Sequence, residues 1–171
     1  MATVLFADLV ESTELGRSLD PEQSRDMLDR FYDAMAAEIA LGGGTVEKFI
    51  GDAVVAVFGA PAAQEDHAER SLQVGLWMQA RLAELFGERL ALRIGVNTGE
   101  IVVGRPREGS SFATGDAVNV VPVWSRRLGR ARCSSGSERA ALVGGAFEFD
   151  ERTTVEAKGN GCEHAFCAEA E

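Results

Sequence analysis

Cationic charge is scarce in this sequence. Acidic residues number 27 against 17 Lys and Arg, a net charge of -10. A chain of that sign is not held on nucleic acid by general electrostatics, although a small anion at a local basic site is still admitted. Lysine is scarcest of all: Lys48 and Lys158 stand beside 15 Arg. Cysteine is sparse and odd in number at three, which excludes a disulfide framework and points to free thiols. Cys162, His164 and Cys167 lie close in sequence, with only Cys133 and His67 left as further ligands of those types. A zinc site wants a fourth ligand and usually a second tight pair, so metal binding there is not expected. No run approaches the ~18 consecutive apolar residues of a membrane span. Met1-Ala2-Thr3-Val4 is not a charged-then-apolar leader, so a cytoplasmic location is expected. What is present is 171 residues, 46% hydrophobic and 26% charged. That suffices for a full core in one domain spanning 1–171.

Local rules place most of the elements. Residues 3–10 read as a buried strand interrupted by Asp8. Asp20-Pro21-Glu22-Gln23 is a helix start, with a capping Asp, Pro at the first helical position and Gln three after the cap. Met27, Leu28, Phe31, Met35 and Ile39 follow at helical spacing, and Gly42-Gly43-Gly44 ends the helix. Residues 45–50 and 53–58 flank Gly51-Asp52 as a hairpin with Gly first in the turn. A second amphipathic helix spans 65–86. Strands are expected at 90–96 and 100–103 around Asn97-Thr98-Gly99, a third helix after Gly115-Asp116, and short strands near 147–150, 153–158 and 164–168. The expected fold is α+β, a ferredoxin-like βααββαβ core whose antiparallel-rich sheet carries its helices on one face.

Two acids do not belong in a sheet core. Asp8 lies in an apolar strand and Asp52 in a tight turn. Taken singly, Asp52 is ordinary turn chemistry and Asp8 a loop start. Taken together, with the first strand beside the hairpin, they form a hard-oxygen site for Mg²⁺ or Mn²⁺, of the kind that handles a nucleoside triphosphate.

Four blocks then carry a resemblance: Phe6-Ala7-Asp8-Leu9-Val10-Glu11-Ser12-Thr13, Val46-Glu47-Lys48-Phe49-Ile50-Gly51-Asp52-Ala53, Arg93-Ile94-Gly95-Val96-Asn97-Thr98-Gly99-Glu100 and Gly115-Asp116-Ala117-Val118-Asn119-Val120. In order and spacing they are similar to the class III adenylate/guanylate cyclase catalytic domain of bacterial type. The resemblance implies that Asp8 and Asp52 bind two Mg²⁺ or Mn²⁺ ions, with the Leu9 carbonyl as a further ligand. It implies that Lys48 reads the base, Asn119 orients the ribose, and Lys158 neutralises the triphosphate. The implied reaction is attack of the ribose 3′-hydroxyl on the α-phosphate with loss of pyrophosphate, in a homodimer that shares each site between two copies. Sensor or regulatory domains are expected outside this chain.

Three departures from the family pattern stand out. The second base-reading position is Phe112, which cannot accept a hydrogen bond from an adenine amino group. ATP is therefore favoured by Lys48 alone, with GTP the other candidate. Four residues after Asn119 the family carries an Arg, and this chain has Val123. Finally, residues 121–139 hold five Arg and one acid, a net +4 against -14 for the rest. Pro122 falls where a helix interior is expected. Read one nucleotide out of phase with GC-rich codons, this stretch can give ARLEQAARPGEVLVG, which resembles the family and restores the Arg. One account is a one-base loss near Val121 and a one-base gain near Arg139. The other is ordinary divergence. The sequence thus supports a nucleotide cyclase, with a catalytically weakened dimerisation or nucleotide-binding module as the alternative. A different nucleotidyl-transferring enzyme on a related core is the third class.

Overall fold

Strand β1 (Ala2–Val10) is apolar apart from Thr3 and Asp8, and the chain builds the sheet around it. In the computed structural model, which describes residues 1–10, 19–104, 113–114, 133–136, 153–157 and 161–168, β1 pairs antiparallel with β3 (Ala53–Phe58) on one side and β4 (Ala91–Gly99) on the other. Leu5 stands opposite Ala56 and Val96. With β2 (Thr45–Ile50), β7 (Cys133–Gly136), β8 (Thr153–Ala157) and β9 (Gly161–Ala168), the sheet order is β2-β3-β1-β4-β7-β9-β8. Among the described residues only the β4–β7 pair is parallel. Strands β5 (Val102–Val103) and β6 (Ala113–Thr114) form a second, two-stranded sheet, whose Ala113 packs with Ala2 and Val57.

Helix α1 (Pro21–Leu41) starts as the capping residues dictate. The Gln23 amide donates to the Asp20 carboxylate at 2.8 Å, and the Asp20 amide donates to the Gln23 side chain at 3.3 Å. This reciprocal box satisfies two donors that the first turn leaves open. Met27, Phe31, Ala34, Met35 and Ile39 recur on its buried face. Helix α2 (His67–Phe86) buries Leu72, Val74, Met78, Leu82 and Phe86. Both stripes close on the same sheet face, where they meet Leu5, Ala7, Leu9, Val54, Ala56, Phe58, Leu92, Ile94 and Val96. The opposite face carries a smaller cluster, Val4, Phe6, Ala53 and Val55, against Ile101. The expected α+β architecture with helices on one face is thus present; among the described residues the order is β1-α1-β2-β3-α2-β4, with one helix between β1 and β2 where the expected βααββαβ core has two.

The α1 terminus is held tightly against α2. A Cβ built on Gly42 would lie 2.0 Å from Cγ2 of the buried Val74. Gly42→Ala is expected to lower stability by about 1–3 kcal/mol through overpacking. Val74→Ala in the same chain should return part of that loss. Denaturant midpoints of the two single variants and the double variant read both effects.

Two local expectations change. Asn97-Thr98-Gly99 is not a turn between strands, because β4 continues to Gly99 opposite Val4, Thr3 and Ala2. The Thr3 and Thr98 hydroxyls meet at 2.8 Å, and Thr3 also meets His67 Nδ1 at 2.7 Å. The extension follows from pairing with the start of β1, which local patterning does not report. Strand β7 falls inside the irregular stretch 121–139, as Cys-Ser-Ser-Gly in the sheet interior beside Ile94, Gly95 and Val96. Sheet position overrides weak β-propensity there. The helix expected after Gly115-Asp116 and the strand near 147–150 lie outside the described residues, while those near 153–158 and 164–168 are β8 and β9.

Candidate active site

Asp8 forms the last pair of the β1–β3 ladder and lies two pairs short of the end of the β1–β4 ladder. It stands opposite Ala53 on β3 and Arg93 on β4. Directly paired residues project from one sheet face, so Asp8 and Arg93 share the face turned away from the helices. Arg93 Nη2 lies 3.0 Å from Oδ2 and 3.3 Å from Oδ1 of Asp8. The two side chains are only 14% exposed for Asp8 and 23% for Arg93. A carboxylate that far out of water needs such a partner. Among the described residues the buried Nε of Arg93 has no hydrogen-bond partner.

Asp52 arrives from the β2–β3 hairpin. Gly51 has φ +60, the left-handed value a tight turn with glycine first requires. The Leu9 amide donates to the Asp52 carbonyl at 3.1 Å, extending the β1–β3 ladder one rung into the turn. Asp8, Leu9 and Asp52 are therefore brought together at one end of the sheet, as the sequence led one to expect of the first strand and the hairpin.

Lys48 reaches the same face through an irregularity. Val46 pairs with Ala56, but Lys48 pairs with Val55, so Glu47 is an extra residue between them. In a regular strand residues 46 and 48 share a face. Here the bulge leaves Val46 against the helix-side core and turns Lys48 to the face of Val55. With strands about 4.8 Å apart, Lys48 lies roughly 10 Å across the sheet from β1. Phe112, Asn119, Val123 and Lys158 lie outside the described residues. Cys162, His164 and Cys167 all fall on β9.

Sequence reasoning did not single out Arg93. Its signal is a cation in a strand whose neighbours Leu92 and Ile94 are buried, the counterpart of the acid in β1. Among the described residues no three His, Cys, Asp or Glu side chains form a ready-made metal cluster. Two carboxylates do fit Mg²⁺ or Mn²⁺ whose remaining ligands are substrate phosphates and water, since Mg²⁺ is commonly held that way. The donor set is hard oxygen, and the adjacent guanidinium suits a phosphate.

Comparison with known proteins bears on this arrangement. The family described as adenylate and guanylate cyclase catalytic domain matches residues 1–169. Adenylate cyclase 1 of Rhizobium meliloti (strain 1021) is 32% identical over 128 residues, 69% of this chain and 19% of that protein. Guanylate cyclase soluble subunit beta-2 of Rattus norvegicus is 30% identical over 169 residues, 93% of this chain and 24% of that protein. The chain thus spans no more than about a quarter of the length of these two relatives. The crystal structure of the guanylyl cyclase Cya2 superposes with a TM-score of 0.87 at 29% identity, covering 98% of this chain and 90% of that one.

Proposed function

The chain belongs to the family of adenylate and guanylate cyclase catalytic domains, and from that premise we propose that it converts ATP, or less favourably GTP, to the 3′,5′-cyclic nucleotide and pyrophosphate. The observation that carries this reading is the Asp8–Arg93 pair set beside the Asp52 turn. Asp8 and Asp52 would hold two Mg²⁺ or Mn²⁺ ions, with the Leu9 carbonyl as a further ligand. The ions, when bound, supply a lowered pKa at the 3′-hydroxyl and positive charge for the triphosphate. Arg93 holds Asp8 through Nη2 and adds its positive charge beside the phosphates. Lys48 reads the base, Asn119 orients the ribose, and Lys158 neutralises the triphosphate. The 3′ oxygen bonds to the α-phosphorus as the bond to the pyrophosphate breaks. The protein's work is positioning and charge neutralisation.

Lys48 lies across the sheet from Asp8 rather than against it, which supports a homodimer in which Lys48 of one copy serves the carboxylates of the other. The catalytic domain would occupy 1–171. No helix among the described residues is long and apolar enough to cross a membrane, and the cytoplasm, where nucleoside triphosphates are held, is the proposed location. Val123 favours a second reading, a dimeric module that binds nucleotide with little turnover.

The test is a product assay with ATP or GTP and Mn²⁺ across protein concentrations. Cyclic product whose specific activity rises with concentration supports the dimeric enzyme. A folded dimer that binds ATP without product supports the module. Lys48→Ala is expected to lower kcat/KM for ATP about 10- to 100-fold, the loss of one charge-assisted hydrogen bond, and to lower the ATP/GTP ratio. An unchanged ratio removes Lys48 from base reading.

A further inference from the structure

We infer that Tyr32 is a positioning residue for Asp52, holding the hairpin turn from the helix side; the inference rests on the metal-binding role proposed for Asp52. On α1, Phe31 is fully buried and Tyr32 sits half-buried at the edge of the helix-side core. The Tyr32 ring lies 4.4 Å from the Phe49 ring centroid and 5.8 Å from that of Phe31. These contacts carry its packing, and a phenyl ring would make them equally well. The hydroxyl does something a phenyl ring cannot. It donates to the Gly51 carbonyl.

That carbonyl belongs to the peptide joining Gly51 to Asp52. The next peptide, joining Asp52 to Ala53, is held through its own carbonyl by the Leu9 amide. Both peptide planes that flank the Asp52 Cα are therefore anchored, one by α1 and one by the central strand. Among the described residues the turn between these anchors is open, with Gly51 exposed and nothing within 4 Å of a Cβ built on it. A carboxylate is only two torsions from its Cα, so its oxygens follow these planes directly. Misplacement by about 1 Å at a reacting centre costs on the order of a hundredfold in rate.

Tyr32→Phe in the full chain isolates the hydroxyl. Three quantities are read: amide hydrogen exchange, Mn²⁺ affinity in the presence of 3′-deoxy-ATP, which has no 3′-hydroxyl to react, and the split between kcat and KM. Exchange at residues 51–53 is expected to quicken while that of Val54–Phe58 stays as in the parent, the internal check that the sheet is folded. Mn²⁺ affinity is expected to fall about three- to tenfold, the range one net hydrogen bond allows. A lower kcat with an unchanged KM for nucleotide should accompany it. Asp52→Asn sets the floor for Mn²⁺ binding. Parent-like Mn²⁺ affinity in Tyr32→Phe, beside a weakened Asp52→Asn, overturns the positioning role whether or not exchange quickens. Equal Mn²⁺ affinity in the parent and Asp52→Asn shows instead that the metal reading fails, and the positioning role falls with it. The Asp52 variant alone thus separates the two failures.

Discussion

Asp52→Ala is expected to remove cyclic-nucleotide formation while leaving the chain folded. The metal ions that Asp52 is proposed to share supply several kcal/mol of charge stabilisation. At about 1.4 kcal/mol per decade that is a loss of roughly a thousandfold or more. The fold should tolerate the change, because two bonds that anchor the turn are accepted by main-chain carbonyls. Leu9 holds the Asp52 carbonyl and Tyr32 the Gly51 carbonyl, and Ala keeps both. A thermal midpoint near that of the parent, beside vanished product, is the expected pair of results. Product at parental levels would remove Asp52 from the site.

Asp8 would give a less clean answer. Its carboxylate partners Arg93 in a setting where neither side chain is more than a quarter exposed. Asp8→Ala strands a mostly buried guanidinium, at a cost of about 1–3 kcal/mol or more for a charged group. Lost activity would then mix with lost stability. Asp8→Asn retains an acceptor for Arg93 and removes the charge, so it is the variant that parallels Asp52→Ala.

The parts of this molecule legible in the sequence are those governed by rules within a few residues. The Asp20–Gln23 box, Pro21, the glycines after α1 and the Gly51 turn all stand where the spacing placed them. Asp8 was legible for a related reason: a carboxylate in an apolar strand is anomalous without any partner in view. Arg93 was not, since its meaning depends on a register linking residues 85 apart. The same applies to the Glu47 bulge, which shows only when β2 is laid against β3. Tyr32 reads as one more amphipathic position until its hydroxyl is seen on Gly51. Non-local pairing decides each of these cases, and one chain's local pattern does not encode it.

Restoring an Arg at position 123 is expected to raise turnover by about 100- to 1,000-fold, the amount commonly lost with one preorganised donor to developing charge. The family resemblance puts that Arg four residues after Asn119, and Val123 has no donor to offer in its place. The two accounts of residues 121–139 predict different outcomes. If the stretch diverged while its neighbours adapted, Val123→Arg alone should recover much of the rate. If its reading frame was displaced, recovery should need the whole out-of-phase string. Strand β7 favours the second account. Set with its Arg at position 123, the string ARLEQAARPGEVLVG places Val-Leu-Val-Gly on the four positions that form β7, Cys133–Gly136. Those positions lie between β4 and β9 inside the sheet. Val and Leu suit such a slot far better than Cys-Ser-Ser does. The replaced chain should therefore gain stability as well as rate, read as a higher thermal midpoint. A rate gain from Val123→Arg that the full string does not exceed, with no change in midpoint, would sink the frame account. So would coding DNA whose shifted frame lacks Arg-Leu-Glu.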